Sequence, residues 1–231
     1  MKQPNAQYNV AGAQSLAVRI AAHARARMYE RFIQRTAIQP DETLLDVGAT
    51  SDQSYATSNY VEAWYPYKGK ITAVGLDDAG FLEQRYPGLT YRRADGRSLP
   101  FPDSSFDVVH SSAVLEHVGN DRCQLDFLLE LARVARRVVF LTTPNRWFPV
   151  EFHTVLPLIH WLPKRHFRSL LRGTRYHFFS LEENLNLVGF GELKALCDGL
   201  GDCRISVEPL RLLGWTSNLL ATIEKTSRQQ A

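Results

Sequence analysis

Short apolar runs alternate with stretches of helical periodicity along most of the chain. Thr43–Val47, Ile71–Leu76, Leu89–Arg93, Phe106–Ser111 and Val138–Thr142 each read as a strand. The first is closed by Gly48, the second by Asp77-Asp78 and the third by Ala94-Asp95-Gly96. Runs apolar at consecutive positions, rather than at every second one, suit strands buried on both faces. Between the last two, Gln124–Arg136 sets Leu125, Leu128, Leu129, Ala132 and Val134 along a helical face. Upstream of the first strand, Leu16, Ile20, Met28, Phe32 and Ile33 recur at helical spacing. This alternation predicts an α/β fold, a three-layer Rossmann-like sheet that is mostly parallel.

Two departures from the alternation follow. Regularity lapses from Pro144 to Ser180, a span longer than ordinary connections, so it reads as a cap insertion after the fifth strand. A helix around Glu192–Leu200 then precedes Arg204–Leu212 and Asn218–Glu224, which flank Gly214 and predict a C-terminal antiparallel hairpin.

Composition narrows the class. The 231 residues are 45% hydrophobic, enough for one substantial core. A net charge of +3 is too mild for the broad cationic surface that duplex nucleic acid demands. Cys123, Cys197 and Cys203 are odd in number and form no CxxC pair. Neither a disulfide framework nor a metal site is expected from them, and they read as reduced. No apolar run approaches the roughly 20 residues that span a bilayer. Residues 1–29 lack acids and carry Arg19, Arg25 and Arg27, but their apolar spacing runs into the first strand. They read as a folded helix rather than a leader, and the expected location is cytoplasmic.

In open parallel sheets ligands lie at the carboxyl ends of strands, and the candidate motifs fall there. Leu44-Leu45-Asp46-Val47-Gly48, Gly75-Leu76-Asp77 and Ala94-Asp95-Gly96, followed by Leu99-Pro100-Phe101 and Phe106-Asp107-Val108-Val109, resemble the class I S-adenosylmethionine-dependent methyltransferases of the methyltransferase-11 type. The resemblance covers residues 40–145. It implies an enzyme whose cofactor is S-adenosyl-L-methionine, with Asp77 accepting the ribose hydroxyls and Asp95 the adenine amino group. Gly96 would approach the ring edge, and Leu76, Ala94 and Leu99 would line adenine. Gly48 and Asp46 would meet the methionine portion, with Thr50, Ser51, Ser111 and Ser112 near the same end.

The family's alternating glycines are missing. Gly48-Ala49-Thr50-Ser51-Asp52-Gln53-Ser54 keeps only the first, so the loop must take another path, with side-chain hydroxyls replacing backbone contacts. A GxGxxG dinucleotide signature is absent as well.

A methyl acceptor with a titratable proton needs a base. His117, just past the fourth strand, and His153, in the insertion, are the candidates. Trp147, Phe148, Glu151, Trp161 and His177 are further acceptor contacts or the core of a compact cap. Lys164, Arg165, Arg168, Arg172 and Arg175 meet no acid between Glu151 and Glu182 and alternate with Trp161, Leu162, Phe167, Leu170 and Leu171. Residues 161–175 are either a solvated helix face or a peripheral membrane contact.

The expectation is therefore a single methyltransferase domain over 1–231. It comprises an N-terminal helical region (1–40), a cofactor-binding core (41–143), the cap (144–180), a C-terminal helix and hairpin (181–225) and a flexible tail (226–231). The activity expected is methyl transfer to oxygen or nitrogen of a small-molecule, glycan or lipid-linked acceptor. The alternative is a noncatalytic S-adenosylmethionine-binding sensor or scaffold at a membrane periphery.

Overall fold

A computed structural model describes residues 16–53, 55 and 57–226. The expected flexible tail lies outside the described residues except for Thr226, as do residues 1–15 of the N-terminal region. The elements are α1 (Leu16–Thr36), β1 (Leu44–Val47), α2 (Tyr60–Trp64), β2 (Ile71–Gly75), α3 (Phe81–Arg85), β3 (Thr90–Arg93) and β4 (Phe106–Ser112). They continue as α4 (Asp121–Val134), β5 (Ala135–Pro144), α5 (Lys164–Leu171), α6 (Phe190–Asp198), β6 (Cys203–Leu212) and β7 (Trp215–Lys225).

Seven strands form one sheet in the order β3-β2-β1-β4-β5-β7-β6. The first five are mutually parallel, while β7 runs antiparallel to both β5 and β6. Because side chains alternate across a strand, the consecutive apolar runs feed both faces. Leu45, Val109, Val139 and Leu141 pack beneath Phe127, Leu128 and Leu131 of α4 and Leu193 and Cys197 of α6. Their neighbours Leu44, Val108, Val138 and Phe140 pack on the other side against Met28 and Phe32 of α1, Val61 of α2 and Leu82 of α3. This is the expected three-layer arrangement.

Helix α4 starts three residues before the sequence pattern suggests, because the Asn120 side chain caps it by accepting from the Cys123 amide at 3.0 Å. It also ends earlier. Ala135 pairs with Phe106, so the chain enters β5 directly from the helix, and β5 runs on to Pro144 against β7. The terminal hairpin turns on Leu213 and Gly214, with φ of 51° and 86°, the two left-handed positions of a tight two-residue turn.

The insertion folds as a cap with its own core of Phe167, Leu171, Phe179, Leu185 and Leu187. In residues 161–175 two of the five cations meet acids: Arg168 bonds Glu182 at 2.8 Å, and Lys164 lies 3.6 Å from Glu192 and 3.9 Å from Asp121. Arg165, Arg172 and Arg175 are exposed. Phe167 and Leu171 face the cap core, leaving Leu162 and Leu170 as exposed leucines of the stretch. One apolar face of α5 is thus spent on packing, while the exposed leucines and arginines of the stretch face outward. Among the described residues, no helix is long and apolar enough to cross a membrane.

Leu131 is fully buried between α4 and the sheet. Leu131→Ala is expected to cost about 2–5 kcal/mol of stability through lost burial and the cavity left behind, read as a lower midpoint in urea unfolding.

Candidate functional site

Strand order reverses between β1 and β4, with β2 and β3 on one side and β5 on the other. The loops leaving these two strands therefore part, and a crevice opens at their carboxyl ends. It holds a cavity of about 1030 Å³. Asp46, Gly48, Thr50, Leu76, Asp77, Asp95, Gly96, Ser112, His117 and His153 all line it.

Three expected cofactor contacts, Ser51, Leu99 and Ser111, do not line this cavity. Ser111 is fully buried and donates to the Val47 carbonyl at 2.7 Å, because its place in β4 turns it toward β1. Ser51 sits behind Asp77, its hydroxyl 3.4 Å from the Asp77 carboxylate. Leu99 packs into the core beside α4. Of the cap candidates, Trp147, Phe148, Trp161 and His177 stay off the wall, while Glu151 stands behind His153.

The glycine-poor loop is held by a device the motif does not show. Asn59, at the start of α2, accepts from the Thr50 amide and donates to the Thr50 carbonyl, both at 2.9 Å. The Thr50 hydroxyl accepts from the Asp52 amide at 3.1 Å, closing a turn that alternate glycines would otherwise permit. The one glycine this loop keeps, Gly48, is indispensable. Its φ is 123°, and a Cβ there would stand 2.2 Å from the Val114 side chain.

Opposite this loop the wall is polar and buried. Tyr60 donates to His110 Nε2 at 3.0 Å, and His110 Nδ1 bonds the Asp46 carboxylate. Burial pushes His110 down to about 4, so near neutrality it carries a single proton, on Nδ1. Burial also pushes Asp46 up to about 6, against a hydrogen bond from Glu62. Glu62, wholly enclosed and beside Asp46, is held well above the ordinary carboxyl range. Arg25 of α1 reaches the same end of the cavity and donates to the Thr57 hydroxyl at 3.0 Å. Arg25, Tyr60, Glu62 and His110 had no sequence signature, since α1, α2 and β4 bring them together across 85 residues of chain.

At the far wall Glu116, His117 and His153 meet. Glu116 is fully buried and accepts from the Thr143 hydroxyl at 2.9 Å. The rings of His117 and His153 stand edge to face with centroids 4.7 Å apart. Nδ1 of His117 is 2.7 Å from the Asn184 carbonyl, and Nδ1 of His153 is 2.7 Å from Glu151. Burial alone would raise Glu151, but the facing His153 and hydrogen bonds from the His153 and Thr154 amides and the Thr154 hydroxyl hold it down at about 2. In return the carboxylate raises His153 against the opposite pull of burial.

Comparison with known proteins agrees with this layout. Residues 45–141 match the methyltransferase domain family. A probable S-adenosylmethionine-dependent methyltransferase of Mycobacterium tuberculosis is 36% identical over 33% of this chain and 28% of that protein. A ubiquinone/menaquinone biosynthesis C-methyltransferase of Xylella fastidiosa is 29% identical over 65% of this chain and 66% of its own. Magnesium protoporphyrin IX methyltransferase from Synechocystis, solved with bound S-adenosylhomocysteine, shares the fold at a TM-score of 0.61 and 12% identity, over 94% of this chain and 90% of that one. The match thus spans less than a third of the mycobacterial relative's length. Over residues 45–141 the chain resembles the class I S-adenosylmethionine-dependent methyltransferases in sequence, and the switch-point cavity and the order of the acidic strand ends agree with that likeness.

The Tyr60–His110–Asp46 chain predicts a neutral His110 from pH 8 down to about 5, with its proton on Nδ1 wherever Asp46 is ionised, above about 6. Nitrogen-15 NMR of the imidazole checks this. A doubly protonated ring appearing near the ordinary midpoint of about 6.5 would contradict it.

Proposed function

We propose that this chain transfers the methyl group of S-adenosylmethionine to an acceptor seated against Glu116, His117 and His153. The observation that carries the reading is that Asp46, Asp77 and Asp95, from three successive strand ends, line one cavity at the switch point. The residues present suit the cofactor. Leu76, a 61%-exposed leucine, lines the cavity together with Asp77 and Asp95 and offers an apolar face for a flat ring. The volume exceeds what one drug-sized ligand needs, leaving space for an acceptor beside it.

In this reading Asp77 takes the ribose hydroxyls through two carboxylate oxygens. Asp95, already held by Arg97 at 2.8 Å, offers its remaining lone pairs to the adenine amino group, and Gly96 lets the backbone approach. Asp46 receives the methionine ammonium and Arg25 its carboxylate, while Gly48, Thr50 and Ser112 shape that end. Asn59 and Arg25 thereby supply the order and charge that a glycine-rich loop provides through its amides. The bound cofactor contributes an already activated methyl group, so the protein's task is alignment and removal of the acceptor's proton. The Glu116–His117–His153 wall is the polar group set that faces this task.

Val114, Val118, Pro144 and Phe152 line the same cavity as those histidines. That lining favours an acceptor with an apolar body, a lipid-linked one included, which presents oxygen, nitrogen or activated carbon. Carbon enters because the Xylella relative is named a C-methyltransferase.

Titration calorimetry with S-adenosylmethionine and S-adenosylhomocysteine tests the reading. Asp77→Ala should weaken binding about 10–100-fold, the loss of two hydrogen bonds to a charged group. Absence of saturable binding to the folded wild-type chain would overturn the proposal. The affinity should also depend on pH. An ammonium ligand favours ionised Asp46, so binding should tighten as pH rises through about 6 and level off above it, with proton release near the midpoint. Calorimetry in two buffers of different ionisation enthalpy measures that release.

A further inference from the structure

Glu116, His117 and His153 share a property that a wall of acid–base groups does not need. One donor atom from each lies within 4.8 Å of the other two. Hydrogen bonds to the Asn184 carbonyl and the Glu151 carboxylate place a ring proton on Nδ1 of His117 and on Nδ1 of His153, so Nε2 is the ligand atom each ring can offer, that of His153 once it gives up any second proton. Oε2 of Glu116 is bonded to Thr143, but Oε1, though buried, has no hydrogen-bond partner and lies 3.9 Å from His117 Nε2. A buried carboxylate oxygen without a partner costs several kcal/mol unless a cation or proton meets it.

We propose that Glu116, His117 and His153 bind a divalent transition-metal ion of the zinc or manganese type at the inner wall of the cofactor cavity. Two imidazoles and one carboxylate are a ligand set that leaves coordination positions open, here toward the cavity. The outer partners are built as well. A carboxylate or carbonyl on the far nitrogen of each ring fixes its tautomer and strengthens it as a ligand, and Glu151 is itself anchored by Thr154. The ion also answers the charge of Glu116, fully buried in that wall with one oxygen unpartnered. Its contribution to catalysis rests on the methyltransferase reading. An acceptor hydroxyl in an open position would lose its proton to solvent more readily. The oxygen–carbon bond would then form as the carbon–sulfur bond breaks, the electron pair staying on sulfur.

The binding test needs no turnover. The full chain, stripped with a chelator and dialysed, is titrated with Co2+, followed by visible absorption, and with Zn2+ by calorimetry. The expected result is one equivalent bound, with d–d bands of nitrogen and oxygen ligation and no thiolate charge-transfer band. Glu116→Gln and His153→Asn should weaken binding by more than the effect of Glu151→Gln, which as an outer partner should cost about 10–100-fold. Cys123→Ser should change nothing. Broadening of the His117 and His153 ring resonances by Mn2+ in the wild-type chain provides a reading that needs no variant. No saturable binding up to about 1 mM, an affinity weaker than about −4 kcal/mol, would overturn the site, as would binding untouched by Glu116→Gln in a folded variant. S-adenosylhomocysteine is titrated into the same samples. Its binding without metal binding would sink this inference alone, and metal binding without it would sink the methyltransferase reading alone.

Discussion

The contact between Gly48 and Val114 is the constraint on which the rest of the site depends. β1 and β4 are neighbours in the sheet, yet the chain leaves them in opposite directions, and their exit loops must pass within van der Waals range before diverging. Only a residue without a Cβ and free to take φ of 123° can stand there. With that position secured, Asp46 ends beneath the loop, and the turn containing Val114 delivers Glu116 and His117 to the far wall. The cavity is the space between two loops that cannot close on one another.

Two buried polar groups of side chains face that space, and they solve the cost of burial differently. On the α1/α2 side, Tyr60, His110 and Asp46 form a chain in which each donor finds an acceptor, with neutral imidazole at its centre. On the cap side, Thr143, Asn184 and Glu151 satisfy the outer atoms of Glu116, His117 and His153, and the inner atoms are left facing one another. Each wall nonetheless holds one buried carboxylate oxygen without a partner, on Glu62 and on Glu116, where a charged ligand group would be met. The first suits holding a cofactor and the second suits the chemistry beside it.

The cap turns part of a basic, aromatic-rich stretch inward. Phe167 and Leu171 join a core of their own, and Lys164 and Arg168 find acids supplied by α4, α6 and the segment following the cap. Packing that core positions the loop of Glu151, His153 and Thr154, so the insertion contributes to the cavity chiefly through one well-anchored histidine.

The sequence by itself determined the α/β class, the five parallel strands, the terminal hairpin and the acidic residues at the strand ends. Each of these depends on local signals: a period in the apolar residues, a turn at Gly214, a carboxylate following an apolar run. It also determined that the glycine loop departs from its usual form, though not what compensates. Tertiary structure alone decided that Asn59 clamps Thr50, that Arg25 and Glu62 join Asp46, and that His153 meets the Glu116-His117 pair from 36 residues away. It also withdrew Ser111 and Ser51 from the cavity lining. These are facts about which faces meet after the sheet and helices pack. No spacing along the chain encodes them, because the partners' separation in sequence is set by the elements between them rather than by their chemistry.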